Sequence, residues 1–171
     1  MAKINLRKDN LPEDKELFVL DCYCGNGTIW NRIKKETGKN IKTLSIDILK
    51  KSCADIVCDN LKVISGINLD KFNVIDLDAY GIPFAQLQMI IKKKYSGVVF
   101  MTVIQTHHGN LPNAILIQSG FTKEMLNKAR SLFTKNPIEL LEMYLETKNI
   151  FNYRIKSLDR KHYLSFTVPK C

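Results

Sequence analysis

At 171 residues the chain suits one domain with a real core, and its 45% hydrophobic and 25% charged content is that of an ordinary globular protein. No apolar run reaches the roughly 18 residues that span a bilayer. The polar start from Met1 to Glu16 lacks a signal-peptide core, and an odd set of five cysteines offers neither a disulfide framework nor a zinc spacing. A cytoplasmic protein with reduced thiols, no bound metal and no membrane partner is expected. The net charge of +9 admits a polyanionic partner, but only five of the 26 basic residues are arginines, whose planar fork reads phosphates and bases. Charge alone therefore leaves nucleic-acid binding open.

Along the chain, short apolar runs alternate with helical patterns. Residues 1–16 read as an N-terminal extension. Leu17 to Asp21 predicts a buried strand ending in an acid, followed by a glycine-rich turn. From Thr28 to Thr37, Ile29, Trp30 and Ile33 keep helical spacing and Gly38 stops the helix. Lys42 to Asp47 predicts a second strand, again ending in an acid, and Asp55 to Cys58 a third with Asp59 just beyond it. Asn73 to Leu77 is the fourth. Pro83 then suits the first turn of a helix that carries Phe84, Leu87 and Ile91 on one face. Gly97 to Ile104, with five β-branched residues in eight, reads as a central strand buried on both faces.

A further amphipathic helix is expected around Met125, Leu126, Ala129, Leu132 and Phe133, and Asn136-Pro137-Ile138-Glu139 restarts another. Residues 151–158 and 162–168 alternate around Asp159-Arg160-Lys161 as a terminal β-hairpin. Five strands alternating with helices imply an α/β, doubly wound, mostly parallel sheet within one domain over 1–171.

The turn Asp21-Cys22-Tyr23-Cys24-Gly25-Asn26-Gly27 lies between a predicted strand and a predicted helix, where a phosphate or cofactor cradle belongs. Asp47, twenty residues beyond Gly27, ends the next strand, where an acid can hold a pair of ribose hydroxyls. The third glycine of a dinucleotide fingerprint is missing, because Trp30 occupies its place. That disfavours NAD and FAD, and without GxxxxGK[ST] there is no NTP-binding P-loop.

Residues 19–28 (VLDCYCGNGT) resemble motif I of class I S-adenosylmethionine-dependent methyltransferases, in the D-x-[FY]-C-G-x-G-T form of those acting on nucleic-acid bases. The resemblance covers nearly the whole chain. It implies a Rossmann-like seven-stranded sheet closed by an antiparallel C-terminal hairpin, with S-adenosyl-L-methionine as cofactor. Asp21, Cys22, Tyr23, Gly25, Asn26 and Gly27 would wrap its methionine part, Asp47 would take the ribose, Ile48 would pack on the adenine, and Asp59 with Asn60 would hold the adenine edge.

The fourth strand runs into Asp78-Ala79-Tyr80-Gly81-Ile82-Pro83. This segment resembles the D-P-[FY]-G-x-P signature of the tRNA guanine-N2 dimethyltransferase family, with Ala79 where that family has proline. The resemblance implies that Asp78 accepts from the exocyclic amine of a base, stabilising charge that develops during transfer. Tyr80 would stack on the extruded base. No Cys or Ser lies in this segment, which argues against a covalent adduct to the base. His107 and His108, after the fifth strand, and the hairpin bases Arg154 and Lys156 are expected to contact substrate.

The reading is a methyltransferase of an amino nitrogen on a nucleic-acid base, RNA favoured over DNA. The alternatives are a protein or small-molecule methyltransferase of the same fold, or a non-catalytic cofactor-binding subunit. With little chain beyond the core, target choice falls to loops, residues 1–16, a homo-oligomer or a partner subunit.

Overall fold

The computed structural model describes residues 2–104, 113–128 and 137–170. A seven-stranded sheet runs in the order β3-β2-β1-β4-β5-β7-β6. Its strands are β1 (Glu16–Asp21), β2 (Asn40–Asp47), β3 (Ile56–Val57), β4 (Val74–Leu77), β5 (Gly97–Ile104), β6 (Tyr153–Leu158) and β7 (Lys161–Val168). The first five are mutually parallel, and β7 lies antiparallel between β5 and β6. The expected sheet and its closing hairpin are thus both found. Asp159 takes the left-handed conformation at the hairpin turn (φ 51°), which lets β7 fold back to pair along all of β5 from Gly97↔Val168 to Ile104↔Lys161.

Helices cover both faces. On one, α2 (Thr28–Thr37) lays Trp30 and Ile33 against Leu17, Val19, Val74 and Phe100. On the other, α3 (Asn60–Gly66), α4 (Phe84–Lys92), α5 (Asn113–Gln118) and α7 (Pro137–Glu146) enclose the larger core around Ile75, Leu77, Leu87, Met101 and Leu141. A further helix, α6, spans Lys123–Lys128. With both faces covered, every residue of β4 is buried, and the apolar run of β5 follows for the same reason.

Ala2–Asp9 forms a helix, α1, packed across the sheet against β7, β6 and α2. The sequence AKINLRKD hides this, because it is short and polar and its fully buried side chain is an arginine, Arg7. The α3 helix was also unexpected. Asp59 starts it as an N-cap, accepting from the N–H groups of Leu61 (2.8 Å) and Lys62 (3.3 Å). Of the amphipathic helix expected around residues 125–133, Met125 is exposed and Leu126 buried on α6, and the remainder lies outside the described residues, as do His107 and His108. None of the described helices is long and apolar enough to cross a membrane.

Candidate active site

The winding reverses between β1 and β4, which are sheet neighbours with Asp21 level with Asp76. Ligands of open α/β sheets bind outside the strand carboxyl ends at such a switch point. Here the glycine turn after β1 forms one wall and the segment after β4 the other.

The turn is fixed by backbone bonds. Gly25 and Gly27 adopt positive φ (55° and 69°), a conformation other residues enter at a cost. The Gly25 N–H donates to Asp47 Oδ2 (2.8 Å), and Leu49 N–H donates to Asp47 Oδ1 (2.9 Å). Cys53 N–H closes the outer loop onto the Gly25 carbonyl (2.9 Å), and the Thr28 hydroxyl donates to Asn26 Oδ1 (2.9 Å). A Cβ built on Gly25 meets no atom within 4 Å, so the turn's outer surface is open. Next to it Ile48 and Leu49 are 69% and 63% exposed, an uncovered apolar step beside a carboxylate.

Cys22 is fully buried and Cys24 nearly so; burial pushes the Cys22 thiol well up and the Cys24 thiol up to about 11. Both thiols serve packing rather than nucleophilic chemistry. Tyr23 is half-buried against the core. Asn60 locks the turn to the opposite wall, donating from Nδ2 to the Cys22 carbonyl (3.0 Å) while its Oδ1 accepts from Gln86 Nε2 (2.7 Å).

This donor set fits S-adenosylmethionine. Asp47 spends two of its roughly four acceptor positions on backbone N–H groups, which leaves acceptor capacity that a ribose diol would fit. The exposed Ile48 side chain would suit a purine face, and the bare Gly25 would leave room for the methionine part. Asp59 and Asn60 are engaged locally, as cap and brace.

The acidic wall carries a feature that the sequence reading missed. Asp21, Asp76 and Asp78 face the same side of the sheet, and α1 lies over them. Arg7 grips Asp76 in a two-pronged ion pair, Nε–Oδ2 2.8 Å and Nη2–Oδ1 2.6 Å, with both side chains 1% exposed. One turn earlier, Lys3 Nζ meets Asp78 Oδ2 at 2.8 Å. The match is geometric. Four residues of helix rise about 6 Å and two of strand about 6.6 Å, so cations at i and i+4 fit acids at j and j−2 on an antiparallel path. Trp30 Nε1–H also donates to Asp76 Oδ2 (2.9 Å), and Arg7 stands 5.6 Å over the Phe100 ring. The absent third glycine of the turn is thus a tryptophan with a structural task.

Burial works against the Arg7 charge, but Asp76, then Asp78 and Asp21, more than offset it and keep the guanidinium protonated. Burial, followed by the charge of Asp76, lifts the Asp21 carboxyl to about 8. At Asp78 burial pushes upward, yet Arg7, Lys3 and the Thr102 hydroxyl, which donates to Oδ1, hold it below the usual carboxylate range. Asp78 is therefore an ionised acceptor fixed on both oxygens, with its side chain 10% exposed.

Tyr80, two residues on, is 92% exposed. Across the sheet Thr102 is level with Tyr163 and then Lys156, so a polar row leads from Asp78 to the hairpin edge. Arg154 is level with Asp76 instead and lines a cavity of about 240 Å³ with Asn10–Glu13, away from the carboxyl edge. The Ala79 N–H donates to the Leu77 carbonyl (2.9 Å), a bond that proline could not make. A cavity of about 510 Å³ between Leu61, Met89, Tyr144 and Lys148 lies on the α3/α4/α7 face, apart from this crevice.

No protein-family model matches the chain, and no curated protein matches it significantly. Solved structures do. A SAM-dependent methyltransferase from Archaeoglobus fulgidus superposes with a TM-score of 0.58 at 16% identity, over 97% of this chain and 92% of that one. Phosphoethanolamine N-methyltransferase 2 from Haemonchus contortus, solved with phosphomonomethylethanolamine and S-adenosylhomocysteine, superposes with a TM-score of 0.56 at 13% identity, over 99% of this chain and 52% of that one. These likenesses establish the fold: it is that of class I S-adenosylmethionine-dependent methyltransferases, and none of them singles out the tRNA guanine-N2 dimethyltransferases.

Proposed function

We propose that this chain is an S-adenosylmethionine-dependent methyltransferase acting on an amino nitrogen of a nucleic-acid base, RNA ahead of DNA. The observation that carries the reading is the pairing of Asp78, ionised and fixed, with the almost fully exposed Tyr80 at the switch point, opposite the open glycine turn. When bound, the cofactor supplies an electrophilic methyl group on a sulfonium.

The chain's own residues do the positioning. The Gly25–Gly27 turn and Asp47 hold the donor at the β1 edge, and Tyr80 offers a ring face on which an unstacked base can lie. Asp78 accepts an N–H from the exocyclic amine, which turns the nitrogen lone pair toward the incoming methyl group, and the methylated nitrogen releases its proton to solvent. Its carboxyl is held low, so it acts as a hydrogen-bond acceptor rather than as a strong base. Lys156, at the end of the polar row, is placed for a phosphate of the same strand.

The test is incubation with labelled S-adenosylmethionine and separate RNA, DNA and protein pools. Label in RNA or DNA at a base amino group supports the reading, and label confined to protein or to no pool defeats it. Binding to the modified pool should weaken with salt, with a log–log slope of roughly −0.7 to −0.9 per phosphate neutralised.

A further inference from the structure

We infer that Lys3 is a specificity-determining residue: by sitting on Asp78 it makes the acceptor site electrically neutral, so that uncharged, ring-conjugated amines are admitted and alkylammonium groups are refused. The inference rests on the proposal that Asp78 receives the acceptor nitrogen.

An isolated carboxylate at a substrate crevice attracts any ammonium group. Amino groups of bases are uncharged near neutral pH because their lone pairs are conjugated into the ring, whereas alkyl amines are protonated. A site built for the second class gains from an unpaired anion, and a site built for the first does not. Here two acids of the wall are matched one to one by cations, Asp76 by Arg7 at 2.6 Å, a pairing that works against the upward push of burial on the Asp76 carboxyl, and Asp78 by Lys3 at 2.8 Å, with Arg7 Nη2 a further 3.6 Å from Asp78 Oδ1. Asp21, level with Asp76, adds little charge at neutral pH, because burial lifts its carboxyl to about 8.

The two cations differ in their freedom. Arg7 is 1% exposed and anchors α1, while Lys3 is 37% exposed and reaches the same crevice from the solvent side. A neutral amine can approach the remaining lone pairs of Asp78 with Lys3 in place. An ammonium must come within a few ångströms of the Lys3 charge or displace it. Selectivity of this kind is built from a repulsive element as much as from an attractive one.

The experiment is binding of ethanolamine, protonated at pH 7, followed by ligand-observed NMR titration. It needs neither cofactor nor turnover. The wild type is expected to bind it at least tenfold more weakly than Lys3→Met, and Lys3→Arg to behave as the wild type. Adding Asp78→Asn to Lys3→Met should remove the gain. A folded Lys3→Met variant with no gain, or a wild type that binds ethanolamine as tightly as the variant, overturns the inference. Lys3→Gln serves as a second uncharged variant. If neither folds, Lys3 is a structural residue and the selective role is wrong. Failure of methyl transfer to every nucleic-acid pool alongside the expected ammonium result would instead count against the proposed function alone.

Discussion

Replacing Arg7 by methionine leaves a side chain of similar length in the same slot and strips the buried wall of its anchoring cation. Asp76, fully buried, then keeps only the Trp30 N–H as a donor from the side chains that now hold it. Removing one partner of a buried pair costs about 3–5 kcal/mol. A second route gives a similar ceiling. The orphaned carboxyl can take up a proton, which at pH 7 costs about 4 kcal/mol for a group with an unfolded pKa near 3.9. The ceiling falls with pH, to about 1.5 kcal/mol at pH 5, so the destabilisation should shrink as the solution is acidified. Trp30 is the chain's only tryptophan and touches Asp76, so its fluorescence in urea reports the transition from inside the cluster. Pairing Arg7→Met with Asp76→Asn should recover half or more of the loss, since the amide keeps an acceptor for Trp30 without the charge. A loss below about 1 kcal/mol at pH 7, or one equal at pH 5 and pH 7, would refute the claim that α1 is held by this ion pair.

Asp78→Ala should cut single-turnover transfer to the modified pool by about 10²-fold while cofactor affinity stays near wild type, and Asp78→Asn should be milder because the amide oxygen still accepts; full activity in Asp78→Ala would remove it from the acceptor site. Asp47→Ala should weaken binding of S-adenosylhomocysteine by about 1.5–3 kcal/mol in calorimetry, since the carboxylate holds both the turn and the free acceptor positions; an unchanged dissociation constant would detach Asp47 from the cofactor. Asp21→Asn should stabilise the fold in a pH-dependent way. The folded carboxyl titrates at about 8 and the unfolded one near 3.9, so wild-type stability falls relative to the variant as pH rises from about 4 to 8 and levels off above. The difference should be negligible at pH 4 and on the order of 2–4 kcal/mol at pH 8 by urea midpoints, and a pH-independent difference would mean that Asp21 is not held neutral.

The sequence by itself determined the sheet. Period-two and continuous apolar runs placed β1, β2, β4, β5 and the closing hairpin, and Gly38 marked the end of α2, because burial pattern and left-handed glycines are local properties of the chain. The turn at Gly25 and Gly27 and the acids at the strand ends were legible for the same reason. What only the tertiary structure decided is what those acids face. Lys3 and Arg7 lie in a segment with no apolar stripe and at least 69 residues from their partners, so no local pattern could have paired them. Once helix α1 lies antiparallel to β4, the helical step from 3 to 7 matches the strand step from 78 to 76, and burial turns two surface-looking cations into the wall of the crevice. Trp30 stands where the dinucleotide fingerprint has a glycine because Asp76 supplies the acceptor for its N–H, and Asn60 also braces the turn through the Cys22 carbonyl, a bond no local pattern announces. A charge's partner is set by where the chain folds back, and in this protein that folding places α1 over the ends of β1 and β4.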